Sequence, residues 1–132
     1  MVISYLDASA AMKLLVQEKE SEALTAYLLT PRASGRRLVA SWLLHAELHC
    51  AANRHPGDID ESSLTTVLDV VTLVDISRGD LLTAGTLPGR LRPNDAIHLA
   101  VALRVGADEM ITYDRELVAA AVAAGLSAAQ PT

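Results

Sequence analysis

Aromatic residues are scarce in this chain: no phenylalanine, one tryptophan and three tyrosines make up 3% of 132 residues. That is too few for the stacking platforms that hold single-stranded bases. A single cysteine, Cys50, excludes an internal disulfide and a cysteine zinc cluster, and points to a reducing, cytoplasmic setting. Basic residues are also short, 11 Lys plus Arg against 16 Asp plus Glu, for a formal charge of −5. Bulk charge therefore gives no electrostatic footprint for nucleic acid. No segment reaches the roughly 18 uninterrupted apolar residues of a membrane span. The first residues lack a basic region followed by a signal-length apolar stretch, so neither export nor insertion is expected. Internal repeats, charge blocks and low-complexity linkers are missing as well.

What is present is 51% hydrophobic and 20% charged content, the balance of one compact domain spanning 1–132. The apolar run 2–6 reads as a strand covered on both faces and stopped by Asp7, with Ser9 placed to cap a helix over 10–17. A second helix is expected over 21–29, then a turn at 30–35 and a strand at 38–40. Ser41 is placed to cap a helix to about Asn53, which His55-Pro56-Gly57 ends. Further along come a helix at 60–68, a β-branched strand at 70–76, a short helix at 78–84 and a loop at 85–93. Asn94 is placed to cap a helix to Val105, followed by a strand at 110–112, a helix at 115–124 closed by Gly125, and a last short strand at 126–129. Strands separated by helices imply parallel pairing, hence a three-layer α/β/α domain around a central parallel sheet of four to five strands.

In such sheets ligands bind beyond the carboxyl ends of the strands. Asp7 closes the first strand, Glu47 follows the second, Asp95 opens the helix before the fourth, and Asp114 sits just past the fourth. Four carboxylates brought to one edge repel, and a hard divalent cation is what makes such a cluster tolerable. Oxygen-only ligands favour Mg²⁺ or Mn²⁺ over zinc. Arg90, Arg92 and Arg115 are placed to rim the pocket and hold phosphates.

Other features read as structural. His45 and His49 flank Glu47 but lack the zinc-protease pattern, and Glu47 points about 200° away from His45 on a helix. His98, one turn after Asp95, has the option of touching the site but reads first as packed under the sheet, Cys50 as a small buried hydrophobe, and Tyr113 as partly buried with the option of stacking a base. A phospho-accepting receiver domain is a poor fit. It needs an acidic pair after strand one, an aspartate after strand three and a late lysine, whereas this chain has Asp7 alone, Ile76-Ser77-Arg78, and only Lys13 and Lys19.

The segments Tyr5-Leu6-Asp7-Ala8-Ser9-Ala10, Ala46-Glu47-Leu48, Asn94-Asp95-Ala96-Ile97-His98-Leu99-Ala100 and Thr112-Tyr113-Asp114-Arg115-Glu116-Leu117 together resemble the PIN-domain ribonucleases, specifically the VapC-type toxins of bacterial toxin–antitoxin pairs. The resemblance spans Val2 to about Gly125. It implies a Mg²⁺-dependent endoribonuclease that leaves 5′-phosphate and 3′-hydroxyl ends and is restrained by a VapB-like antitoxin. Carried over by motif, Asp7 and Asp95 are metal ligands, Glu47 a further acidic site residue and Asp114 the fourth acid, with Ser9 supporting the metal's water shell. Ala8 departs from the Thr or Ser common at that place. A homodimer and a tRNA or rRNA substrate are family expectations. The rival reading is a catalytically weak PIN-like scaffold that acts by binding a partner.

Overall fold

The computed structural model describes residues 1–32 and 34–132; Ala33, inside the expected turn at 30–35, lies outside the described residues. In chain order the elements are β1 (Val2–Leu6), α1 (Ala8–Leu15), α2 (Ser21–Leu29), β2 (Arg36–Ser41), α3 (Trp42–Arg54) and α4 (Glu61–Val70). They continue as β3 (Thr72–Val74), α5 (Arg78–Ala84), α6 (Pro93–Arg104), β4 (Glu109–Ile111), α7 (Arg115–Ala123) and β5 (Ser127–Ala129). The strands form one parallel sheet of five in the order β3-β2-β1-β4-β5. From β1 the chain winds outward through β2 and β3, then crosses back to β4 and β5. The carboxyl end of β1 is therefore a topological switch point, the place where open α/β sheets hold ligands.

The apolar run of β1 is covered from both sides, with Tyr5 and Leu6 fully buried beside Met110 and Ile111 of β4. Helix α3 turns Leu44, Leu48 and Ala51 inward at a spacing of four and three. Cys50 falls off that stripe and is exposed, which corrects its reading as a buried hydrophobe. Among the described residues no helix is long and apolar enough to cross a membrane.

Several boundaries differ from the sequence expectation, and three of the differences have a plain consequence for the site or the sheet. Helix α1 starts at Ala8 because Asp7 is its cap, accepting from the Ala10 N–H at 2.9 Å; Ser9 lies inside the first turn. Helix α6 has no side-chain cap: Arg92 is the N-cap and Pro93 takes the first helical position, where its missing N–H costs nothing, so Asn94 is already helical. Val70, expected in a strand, ends α4, and the strand that follows is only Thr72–Val74.

Candidate active site

Two strand-to-helix junctions build the floor of the site. At the β1–α1 junction Asp7 is 2% exposed, and its two oxygens do different work. Oδ1 accepts the Ala10 N–H at 2.9 Å and caps the helix, while Oδ2 accepts the hydroxyl of Thr112 at 2.6 Å. Ser9 Oγ lies 2.8 and 3.0 Å from the two oxygens of Asp7 and accepts the Tyr113 N–H at 2.9 Å. At the β4–α7 junction Asp114 caps α7 through Oδ1, 3.0 Å from the Leu117 N–H, and its own N–H donates to Thr112 Oγ1 at 3.1 Å. Capping and a place in the site are thus compatible for both aspartates, one oxygen serving each purpose.

Asp7, Ser9, Glu47, Asp95 and Asp114 line one pocket of about 400 Å³, together with Arg92, Pro93 and Asn94. Asp95 reaches it from the first turn of α6, where the positive end of the helix favours a carboxylate. Glu47 reaches it from the middle of α3. Arg92 is the one rim arginine brought to the acids, Nη2 3.6 Å from Asp114 Oδ2 and Nε 3.9 Å from Asp95 Oδ2, on a side chain 81% exposed. Arg90 and Arg115 are exposed and do not line this pocket.

The carboxylates oppose one another. Burial pushes Asp7 above the usual aspartate range, partly offset by hydrogen bonds from Thr112, the Ala10 backbone and Ser9. Burial also raises Asp95, and the neighbouring Asp114 and Asp7 raise it further against Arg92. Such a site lacks positive charge. Its donors are all oxygen, the set preferred by Mg²⁺ and Mn²⁺. Among the described residues no three His, Cys, Asp or Glu side chains close into a ready-made ligand cage. Separated carboxylates suit a cation that keeps several of its own waters, as Mg²⁺ does.

One group that sequence reasoning passed over takes part, and so does one for which packing was the preferred reading over contact with the site. Thr112, noted only within a motif, ties the two junctions together. His98, expected as packing, is fully buried and also reaches the site, through Nε2 at 2.5 Å from Glu47 Oε1. Tyr113, by contrast, is a structural tyrosine: its hydroxyl donates to the Pro131 carbonyl at 2.8 Å and Lys13 sits over its ring.

A parallel sheet whose carboxyl edge gathers four acids from separate elements defines an α/β domain with an acidic pocket at its switch point. A PIN domain family model matches residues 4–123. Ribonuclease VapC46 of Mycobacterium tuberculosis is 39% identical over 140 residues, covering 100% of this chain and 100% of its own. Ribonuclease VapC47 of the same species is 33% identical over 132 residues, covering 96% of each chain. Among solved structures, M. tuberculosis VapC20, described as a Sarcin-Ricin loop cleaving toxin, superposes with a TM-score of 0.71 at 15% identity, over 97% of this chain and 99% of its own. A toxin–antitoxin complex from Klebsiella pneumoniae gives a TM-score of 0.69 at 20% identity, over 98% of each chain. The chain belongs to the PIN-domain family, within its VapC-type ribonucleases.

Proposed function

We propose that this chain is the toxin of a type II toxin–antitoxin pair, an endoribonuclease that hydrolyses RNA phosphodiester bonds with Mg²⁺ held by Asp7 and Asp95, Mn²⁺ being able to substitute. The observation that carries this reading is the convergence of Asp7, Glu47, Asp95 and Asp114 on one pocket at the switch point of the sheet. A bound divalent cation would supply an activated water and stabilise charge on the phosphate and leaving oxygen. The protein's part is positioning. Ser9, Thr112 and the Ala10 N–H fix Asp7, so one orientation of its carboxylate faces the pocket. Asp114 and Glu47 complete the acidic wall. Arg92 is free to leave its long-range contacts with Asp95 and Asp114 for a phosphate, to which an arginine can donate two parallel hydrogen bonds. With few aromatics and a net charge of −5, RNA selection rests on shape at the site more than on general affinity.

The partner we propose is a VapB-like antitoxin. A groove of about 460 Å³ between α1 and α3, lined by Met12, Leu43 and Leu48 among others, shares Glu47 and Asn94 with the acidic pocket. It offers an apolar segment a path to the carboxylates, where a basic residue of that segment would meet opposite charge. A homodimer is proposed as well, with exposed Leu81 and Leu82 on α5 as apolar surface for such a contact to cover. The cellular setting proposed is the cytoplasm, and the substrate class a structured tRNA or rRNA.

The test is to map RNA 5′ ends after brief induction of the wild type and of Asp95→Asn. Discrete new ends in the wild type that vanish in the variant are expected. Identical ends in both, or none in either, would overturn the nuclease reading and favour a PIN-like scaffold that works by binding.

A further inference from the structure

His98 lies three residues after Asp95 on α6, has no exposed surface, and makes two contacts of hydrogen-bond length. Its Nδ1 is 2.6 Å from the Tyr5 hydroxyl, and its Nε2 is 2.5 Å from Glu47 Oε1. The Tyr5 oxygen in turn accepts the Ser41 N–H at 3.0 Å. These four residues come from β1, the end of β2, α3 and α6, and are separated by up to 93 positions in sequence.

The direction of every hydrogen bond in this chain follows from one proton. A tyrosine phenol carries its O–H at neutral pH, and Tyr5 is fully buried, so that proton must be placed on a neighbour. Because the oxygen already accepts from Ser41, that O–H needs an acceptor, and Nδ1 of His98 is the neighbour that provides one. An unpartnered hydroxyl here would cost the full desolvation of the group. Nδ1 is then unprotonated, which puts the ring proton on Nε2 and aims it at Glu47. Glu47 makes no other hydrogen bond among the described residues, so without His98 its side chain would choose freely among rotamers.

We infer that Tyr5 and His98 form a strut from the core of the sheet that fixes the orientation of Glu47, making His98 a positioning residue of the ribonuclease site. The strut rests on the nuclease reading above. It holds Oε1 and leaves Oε2 without a hydrogen-bond partner among the described residues. It differs from packing in being directional: a side chain of the same size with no donor at the Nε2 position fills the space but releases Glu47.

The experiment uses the full chain, bulk bacterial tRNA and rRNA as probe substrates, and Mn²⁺ or Mg²⁺. His98→Leu is expected to lower kcat by about 10- to 100-fold, the usual effect of losing a partner that orients a site ligand, with little change in KM. His98→Gln, whose amide N–H can reach Glu47, is expected to recover most of that loss. Nitrogen NMR of the wild type, which requires no variant to fold, should find His98 protonated on Nε2 and bare on Nδ1. Tyr5→Phe should release this single tautomer into a mixture. Protonation on Nδ1 in the wild type, wild-type kcat in His98→Leu, or equal losses in the Leu and Gln variants would overturn the strut. A wild type that cleaves neither RNA, or Asp95→Asn cleaving as well as wild type, would overturn the nuclease reading instead, and the NMR result would still decide the strut.

Discussion

Thr112 donates its hydroxyl to Oδ2 of Asp7 across 2.6 Å, joining the ends of the two central strands. The same oxygen of Thr112 accepts the Asp114 N–H, so one side chain sets the spacing of two acids of the site. Thr112→Val keeps the shape and removes both functions. It is expected to cost about 1.5–3 kcal/mol of stability, the scale of a hydrogen bond to a charged group, with the Asp114 N–H left unpaired besides. The larger effect should fall on the site: weaker divalent-metal affinity and cleavage reduced by about tenfold. Calorimetric titration with Mn²⁺ and a thermal melt separate the two, and a variant that binds the ion as wild type does would show that Thr112 serves the fold alone.

Asp95 makes the site costly to the fold when no cation is bound. Its carboxyl is raised by burial and by repulsion from Asp114 and Asp7. A folded-state acid with a raised pKa binds its proton more tightly than the unfolded chain does, so its destabilising contribution is fully present at neutral pH. That contribution fades as pH falls through the raised value toward the ordinary 3.8. Asp95→Asn should therefore melt a few degrees higher than wild type at pH 7 without metal, and the gap should close near pH 4. Adding Mg²⁺ should stabilise the wild type, EDTA should reverse this, and the variant should respond to neither. Expressed in bacteria, the wild type should slow growth and Asp95→Asn should not. A variant that melts lower than wild type at pH 7 would contradict the electrostatic account.

The layering of the fold was readable in the sequence because short apolar stretches such as Val2–Leu6 and Leu38-Val39-Ala40 alternate with helical runs, most of them bounded by a capping residue or by Pro or Gly. The four acids could be placed at one edge because Asp7 and Asp114 directly follow strands and parallel strands share an edge. Two kinds of information were hidden. A junction without a loop lets one residue end a strand and cap a helix, so Asp7 took the role expected of Ser9. Pairings across long stretches of chain leave no local pattern, and Thr112 to Asp7 and Tyr5 to His98 span 105 and 93 residues. Cys50 was misplaced for a simpler reason: the buried stripe of α3 passes through Leu44, Leu48 and Ala51, and a mostly apolar stretch does not announce its phase.

Arg92 holds its two acids only loosely, at 3.6 and 3.9 Å from an exposed position, a geometry worth under about 1 kcal/mol to the fold. Under the proposed function its value would lie in a substrate phosphate at the pocket. Arg92→Ala should leave the melting temperature nearly unchanged, raise KM for RNA by roughly tenfold at low salt, and flatten the dependence of log affinity on log salt by about one unit. Arg90→Ala and Arg115→Ala, whose side chains stand outside the pocket, should change KM less. Cleavage assays from low to moderate salt check this, and equal effects of all three variants would mean that the arginines act only through net charge.

Arg36 and Glu109 form a buried pair at the amino edge of the sheet, opposite the acidic pocket. Arg36 Nη1 is 2.6 Å from Glu109 Oε2 and 2.7 Å from Ser4 Oγ, and Ser4 donates to the same glutamate oxygen at 2.6 Å. The Tyr27 hydroxyl donates to the other oxygen, and its ring lies against the guanidinium, 4.7 Å away. Burial pushes the Glu109 carboxyl up, but the hydrogen bonds from Ser4, Tyr27 and Arg36 outweigh it and hold the group below its ordinary value of 4.5. A lowered acid stabilises the fold above its unfolded value and loses that contribution as pH drops through the folded one. Arg36→Met leaves the glutamate buried and unpaired, and should cost about 3–5 kcal/mol. At a temperature where the variant stays folded, kcat should lie within about twofold of wild type, because nothing in this cluster touches the acidic pocket. Denaturant melts at pH 7 and pH 3 supply the second check: the advantage of wild type over Glu109→Gln should be large at the first pH and much reduced at the second. A stable Arg36→Met with impaired cleavage would reverse the assignment, placing this pair in the function and not in the fold.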